Sequence, residues 1–217
     1  PMIVSTVYMV GVSIAIATPI GILAAIYMQE YAKQGKLVKA IRFATESLAG
    51  IPSIIYGLFG GIFFVTVLKL SFSILSGALT VAIIILPLII RTTEEALKTV
   101  PKSYREASLA LGSTKFQTLY KVVLPSAVPG ILSGIILSVG RVIGESAAIF
   151  LTAGTVAQMP SGIFDSARTL TVHAYLLTKE SGDIQTAAAL GIVLIFIVLT
   201  LNTIAKVIAK KLNKANY

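Results

Sequence analysis

The chain has 217 residues, of which 56% are hydrophobic and only 12% charged, and its mean hydropathy is +0.91; a soluble domain of this size cannot hide so much apolar surface, so the class is all-α integral membrane. The formal net charge of +9 would suggest nucleic acid in a soluble protein, but here the basic residues fall between apolar runs, which is a topology signal and calls for no nucleic-acid partner. The absence of cysteine excludes disulfides and thiolate metal centres.

A spanning helix needs about 20 apolar residues. Five stretches meet this: 3–28, 47–68, 70–90 after a tight turn, 126–153, and 184–205. They are too long and too uniformly apolar for β-barrel strands. The chain opens on Pro1, apolar at once and without a signal-peptide pattern, so the N-terminus reads as trimmed and a sixth, N-terminal span is expected upstream. Of the 18 Lys and Arg residues, 14 fall on one side of these spans, three (Lys69, Arg168, Lys179) on the other, and Arg141 falls within the membrane. The positive-inside rule then puts residues 92–125 and the C-terminus in the cytoplasm.

The second span contains Gly50, Pro52, Gly57, Gly60 and Gly61. Proline with glycines at membrane depth permits a kink or an unwound turn facing protein or a wet cavity, and the glycines also permit close helix packing. Gly50, Pro52 and Gly57 are thus candidates for a helix break or gate, with pure packing as the alternative. Beyond the fourth span, residues 169–179 read as a short helix resting at the outer surface. It holds His173, the only histidine, which without nearby carboxylates is a poor metal ligand or base. The basic tail 206–214 reads as a stop after the last span that also touches lipid headgroups.

Residues 92–125 form the one long charged passage. The stretches 92–99 and 103–111 have helical composition, with Pro101 breaking between them. Ser103 and Glu106 have the spacing of a capping box, and Gly112 ends the second piece where the chain must turn left-handed. The expected product is a short, stiff helix outside the membrane, either a knob for a partner or an ordinary capped loop.

Arg141 and Glu145 lie within the fourth span, where a charge costs about 2.5–3.5 kcal/mol on insertion scales. At i, i+4 they are expected on one helix face, near enough to pair. Either they neutralise each other and lock packing, or Arg141 receives a passing anion that Glu145 helps to hold and release. A guanidinium offers a planar fork suited to phosphate or sulfate. Arg91 ends the third span; it is a topology anchor, or it lines the inner mouth of the same path with Glu94 as its tether. No Gly-x4-Gly-Lys-Ser/Thr loop and no catalytic or metal constellation occurs in the sequence, so neither ATP binding by that route nor catalysis is expected.

Several stretches carry a family resemblance. Glu106-Ala107, Gly112 and Val122-Val123-Leu124-Pro125 are similar to the EAA motif of permease subunits of ABC importers, with Ser108 and Val122 as mild departures. Residues 48–60 (LAGIPSIIYGLFG), 91–97 (RTTEEAL) and 138–148 (SVGRVIGESAA) resemble corresponding stretches of phosphate permeases, and 169–177 (TLTVHAYLL) resembles their outside loop. The chain is identified as resembling the A-type permease of the phosphate-specific ABC importer, whose sister permease is related. The resemblance implies a single permease domain over 1–217 with the type I importer core, in a bacterial inner membrane. It implies a sister permease, two copies of a cytoplasmic ATPase carrying ATP and Mg, and a phosphate-binding protein outside, with no cofactor on this chain. It makes Arg141, Glu145, Arg91 and Glu94 the expected substrate path. Pro101, Ser103, Tyr104, Arg105, Glu106, Ala107, Leu109, Gly112 and Pro125 become the expected ATPase-coupling residues. An importer of molybdate, tungstate or sulfate, and a stand-alone ion-coupled carrier using Glu145, are the rival expectations.

Overall fold

The computed structural model describes residues 1–33 and 35–215; the side chains of 205–206 and 208–215, and with them the basic tail, lie outside the described residues. Every regular element described is a helix, which is what a bilayer demands of a chain whose backbone must satisfy itself. Four helical runs are long and apolar enough to cross, Met2–Tyr31, Ile74–Thr99, Lys115–Gly144 and Ile184–Ile204, and one bent pair, Lys36–Ala49 with Ser53–Val67, adds a fifth when counted as a single broken span.

Helix α1 (Met2–Ile26) runs on through a wider π-turn, Tyr27–Tyr31. Its buried stripe of Met9, Ser13, Ala17, Gly21 and Ala25 repeats every fourth residue, the spacing of one helix face. That stripe packs on α4 (Ile74–Thr99), the hub of the bundle. The hub is capped by Ser73, whose Oγ accepts from the Ser76 N–H at 3.2 Å. Its next N–H groups are taken by an outer loop, Ile74 by the Asp165 carbonyl at 2.9 Å and Leu75 by that of Ile163 at 2.8 Å.

The run 47–68 is not one straight helix. Helices α2 (Lys36–Ala49) and α3 (Ser53–Gly60, continued as a π-segment over Gly61–Val67) meet at 99°. Pro52 has φ −58° and ψ 138° and lacks an N–H, so the helix stops before it and restarts after it. The Tyr56 hydroxyl closes the corner by donating to the Leu48 carbonyl at 2.7 Å.

The third span does not stop at Ile90. α4 continues to Thr99 because no glycine intervenes and Thr93, Glu94, Ala96 and Leu97 extend its buried face. Then come α5 (Lys102–Ala110), α6 (Lys115–Thr118) and α7 (Leu124–Gly144). The last two are one continuous run, so the fourth span starts at Lys115 rather than 126 and Pro125 lies inside it. Proline supplies no N–H to the turn below it, and the helix accommodates this by widening into a π-turn over Leu119–Val123.

The fourth span also ends sooner than expected. α7 stops at Gly144, Glu145 is extended (φ −76°, ψ 131°), and a separate α8 (Ala147–Phe150) follows. Helix α9 (Leu170–Leu176, with a π-turn Leu177–Ser181) does not rest at the surface. Leu170, Val172 and Leu176 are buried, and Val172 and Leu176 share a core with Met9, Ile85, Val142 and Ile149. α10 (Ile184–Ala215) lies at the periphery against α7 and α9, with Ile192, Ile195, Phe196 and Leu199 exposed.

Candidate translocation groove and coupling helix

α4 and α7 run antiparallel. A Cβ on Gly134 would collide with the Thr92 side chain, and one on Gly130 would lie 2.6 Å from Ala96 Cβ. These two contacts fix the register, and carried on along both helices it sets Arg141 level with Ile85. At 1.5 Å per residue, Arg141 lies about 9 Å deeper than Arg91. The guanidinium thus belongs to a candidate membrane span, where it occupies the last turn of α7 rather than the middle of a longer helix.

Arg141 opens into a groove of about 400 Å³ that also meets Arg42, Glu46, Arg91, Glu94, Glu95 and Lys98. From Lys98 to the level of Arg141 the charged ladder is about 20 Å long. Two of its four cations are matched by carboxylates. Arg42 donates to Glu94 Oε1 from Nη2 at 3.0 Å and from Nε at 3.2 Å. Arg91 donates from Nε to Glu95 at 3.1 Å. Glu94 is therefore not the tether of Arg91: on a helix it points into the bundle, its side chain 8% exposed, whereas Arg91 is 73% exposed and faces outward with Glu95. The exposed pair contributes little to stability. The enclosed carboxylate of Glu94 needs its cation.

Arg141 has no ion-pair partner among the described residues. The expected pair with Glu145 does not form, because the helix that would have carried both ends one residue before Glu145. The Glu145 carboxylate instead accepts the backbone N–H groups of Ser146 at 3.1 Å and Ala148 at 3.2 Å. From the other side, the Thr171 hydroxyl donates to the carbonyls of Glu145 at 2.9 Å and Ile143 at 3.2 Å. Two N–H groups and two carbonyls at the break are thereby satisfied within the protein. Of the gate candidates, Gly57 packs against α8, where a Cβ would lie 2.8 Å from Ala148 Cα, while Gly50 has ordinary space around it; Pro52 and Gly50 together form the α2–α3 corner.

At the basic end, α5 is a cross-bar between α4 and α6. It has no buried residue. Ser103 does not cap it: Pro101, with φ −58°, is the N-cap and makes the first turn start at Lys102, so Ser103 falls inside it and Glu106 is exposed. The capping box lies one helix later, between Thr114 and Gln117. Gly112 has φ +84°, and the Ser113 N–H reaches the Ser108 carbonyl at 3.2 Å while that of Gly112 reaches Leu109 at 3.0 Å, a Schellman ending. Ala107, Tyr104, Leu109 and Leu111 are exposed, Leu111 to 88%, beside the stacked Phe116 and Tyr120. Pro125 is exposed on the first turn of α7.

Arg105 turns inward. It donates to the carbonyls of Val100 at 2.7 Å and Leu97 at 2.8 Å, the open C-terminus of α4, and to Glu30 at 2.9 Å. The Ser108 hydroxyl is 3.0 Å from that of Thr118, tying the cross-bar to the next helix. Sequence reasoning missed Arg42, Glu30, Glu95, Lys98 and Thr171. Arg42 reads as a topology charge, yet it follows Val38 by one helical turn on the face packed against α4, and that spacing is the signal that could have found it.

Comparison with known proteins supplies the family context. The description "Binding-protein-dependent transport system inner membrane component" matches residues 17–215. The chain is 37% identical to the probable ABC transporter permease protein YqgI of Bacillus subtilis, over 92% of this chain and 73% of that protein. It is 34% identical to the phosphate transport system permease protein PstA 1 of Mycobacterium tuberculosis, over 94% of this chain and 67% of that one. It is 39% identical to a PstA homolog of Mycoplasma pneumoniae but spans only 28% of its length. In fold it is similar to a chain of the inward-facing MetNI methionine ABC transporter, with TM-score 0.80 at 21% identity, covering 96% of this chain and 93% of that one.

Proposed function

This chain belongs to the family of binding-protein-dependent transport system inner membrane components, and from that membership we propose that it is a permease subunit of an ABC importer that carries inorganic phosphate into the cytoplasm. The observation that carries the reading is Arg141, a guanidinium at membrane depth without a carboxylate partner among the described residues, open to a groove lined by further cations. A permanently charged planar donor fork in that position suits a tetrahedral oxyanion. The acids of the same groove keep binding weak enough for release. Relatives named as phosphate permeases favour phosphate over other oxyanions.

Arg141 is exposed on one side of this chain, and so are Ser133, Leu137 and Gly144 along the same stripe of α7. A charge at that depth cannot face lipid cheaply, so a second permease closes the path. The basic end faces the cytoplasm by the positive-inside rule. There α5 presents its exposed apolar residues to a partner ATPase, which holds the ATP and Mg. Because α5 is braced against α4 through Arg105 and against the α6–α7 run through Ser108, a push on it reaches both the α4 wall of the groove and the helix that carries Arg141. A proton- or sodium-coupled carrier would need Glu145 for its ion, and that carboxylate is committed to two backbone N–H groups.

The test is uptake of radiolabelled phosphate by vesicles containing the whole transporter. Arg141→Gln is expected to abolish ATP-dependent uptake while the subunits still copurify; normal uptake by that variant would overturn the reading. Competition by molybdate or sulfate separates the oxyanions.

A further inference from the structure

We propose that Arg42 is a further anion-binding residue of the groove, and that Glu94 is its resident counter-anion, displaced when the transported oxyanion arrives. This rests on the reading of the groove as an anion path. Arg42 turns two N–H donors, Nε and Nη2, onto one Glu94 oxygen. A phosphate oxygen accepts a guanidinium in the same way. The carboxylate thus stands in the place of the oxyanion, as an internal competitor for one fork.

Position supports the exchange. Arg42 sits beside Glu94, between the levels of Arg91 and Lys98, so an anion leaving Arg141 for the basic end passes Arg91 and then meets it. Both residues line the groove, and the side chain of Arg42 is 31% exposed against 8% for Glu94, so the guanidinium is the more open of the pair to an arriving anion. Arg42 also belongs to a different element from its partner. α2 is separated from α3 by the 99° corner, and Glu94 belongs to the hub helix. Relative movement of α2 and α4 therefore sets whether the pair is closed.

The exchange has an electrostatic logic. An enclosed carboxylate without a cation is strongly disfavoured. Glu94 therefore pulls Arg42 back once the anion has moved on, which makes the site one that empties.

The experiment measures KM and kcat for phosphate uptake by the complete transporter in vesicles, with copurification of all subunits as the assembly check. Glu94→Gln removes the competitor, and both KM and kcat are expected to fall. The decisive variant is the double change Arg42→Gln with Glu94→Gln, which removes the charge pair together. An Arg42 that only holds structure would then leave KM as in the wild type. An Arg42 that binds anion gives a KM raised about tenfold, the loss of one charge-assisted contact. Should the double variant not assemble, Arg42→Lys keeps the charge and loses the fork, and a severalfold rise in KM is expected; an unchanged KM overturns the proposal. Arg141→Gln, run in parallel, separates the two readings. If it transports normally, the anion path itself is wrong. If it is inactive while the double variant, or Arg42→Lys, keeps the wild-type KM, only the role of Arg42 is wrong.

Discussion

Arg105 and Glu30 meet at 2.9 Å although 75 residues separate them, and this ion pair fastens the cross-bar helix α5 to the inner end of α1. The same guanidinium closes two carbonyls at the end of α4. Arg105→Ala is expected to lose charge-assisted hydrogen bonds worth about 1.5–3 kcal/mol and to let α5 move without the bundle. ATP hydrolysis by the assembled transporter should persist while phosphate uptake per ATP falls. Equal loss of both activities would mean that the residue serves assembly alone.

Gly112 makes a second prediction. A side chain at φ +84° costs roughly 1–2 kcal/mol, and a β-branched one more. A Cβ added there would meet nothing within 4 Å, so the penalty is conformational and not a clash. Gly112→Asn should therefore transport near normally and Gly112→Val should uncouple, as read by the uptake-to-hydrolysis ratio.

The corner between α2 and α3 predicts a contrast between two glycines. Gly57→Val pushes into the backbone of α8 at Ala148 and should lower thermal stability in detergent by about 1–3 kcal/mol, the range for overpacking. Gly50→Ala meets nothing closer than the Ser47 carbonyl at 3.5 Å and should melt like the wild type.

Glu145 predicts a chemical distinction. Its carboxylate accepts two N–H groups at the break after α7, and an amide oxygen accepts as well. Glu145→Gln should keep uptake, with an unchanged pH profile. Glu145→Ala orphans both donors and should destabilise the protein by about 1–3 kcal/mol. Loss of uptake in Glu145→Gln would return the residue to the substrate path.

These cases show what the sequence carries and what it does not. Spans, the Pro52 corner, the Pro101 break and the left-handed Gly112 are legible because each follows from residues within one or two turns. Ser103 misleads because Pro101 pre-sets the first turn and shifts its start. Glu145 misleads because the i, i+4 argument assumes an unbroken helix, and nothing local announces that Gly144 is its last residue. Arg42 with Glu94 and Arg105 with Glu30 join segments 52 and 75 residues apart. No periodicity encodes such pairs; only the packing of α2 and α1 against α4 brings them together. Arg141 stands out in the sequence by its depth, yet its lack of a partner depends on where Glu145 turns.

The unbroken run Lys115–Gly144, 30 residues or about 45 Å long, exceeds the roughly 30 Å hydrocarbon layer. Its tight contact with the hub, at Gly130 and Gly134, divides it unequally, with about 25 Å toward Lys115 and about 14 Å toward Arg141. Any tilt about that contact works as a seesaw with its longer arm toward the basic end. Each ångström of swing at the water-side foot returns about half an ångström, in the opposite sense, at the guanidinium.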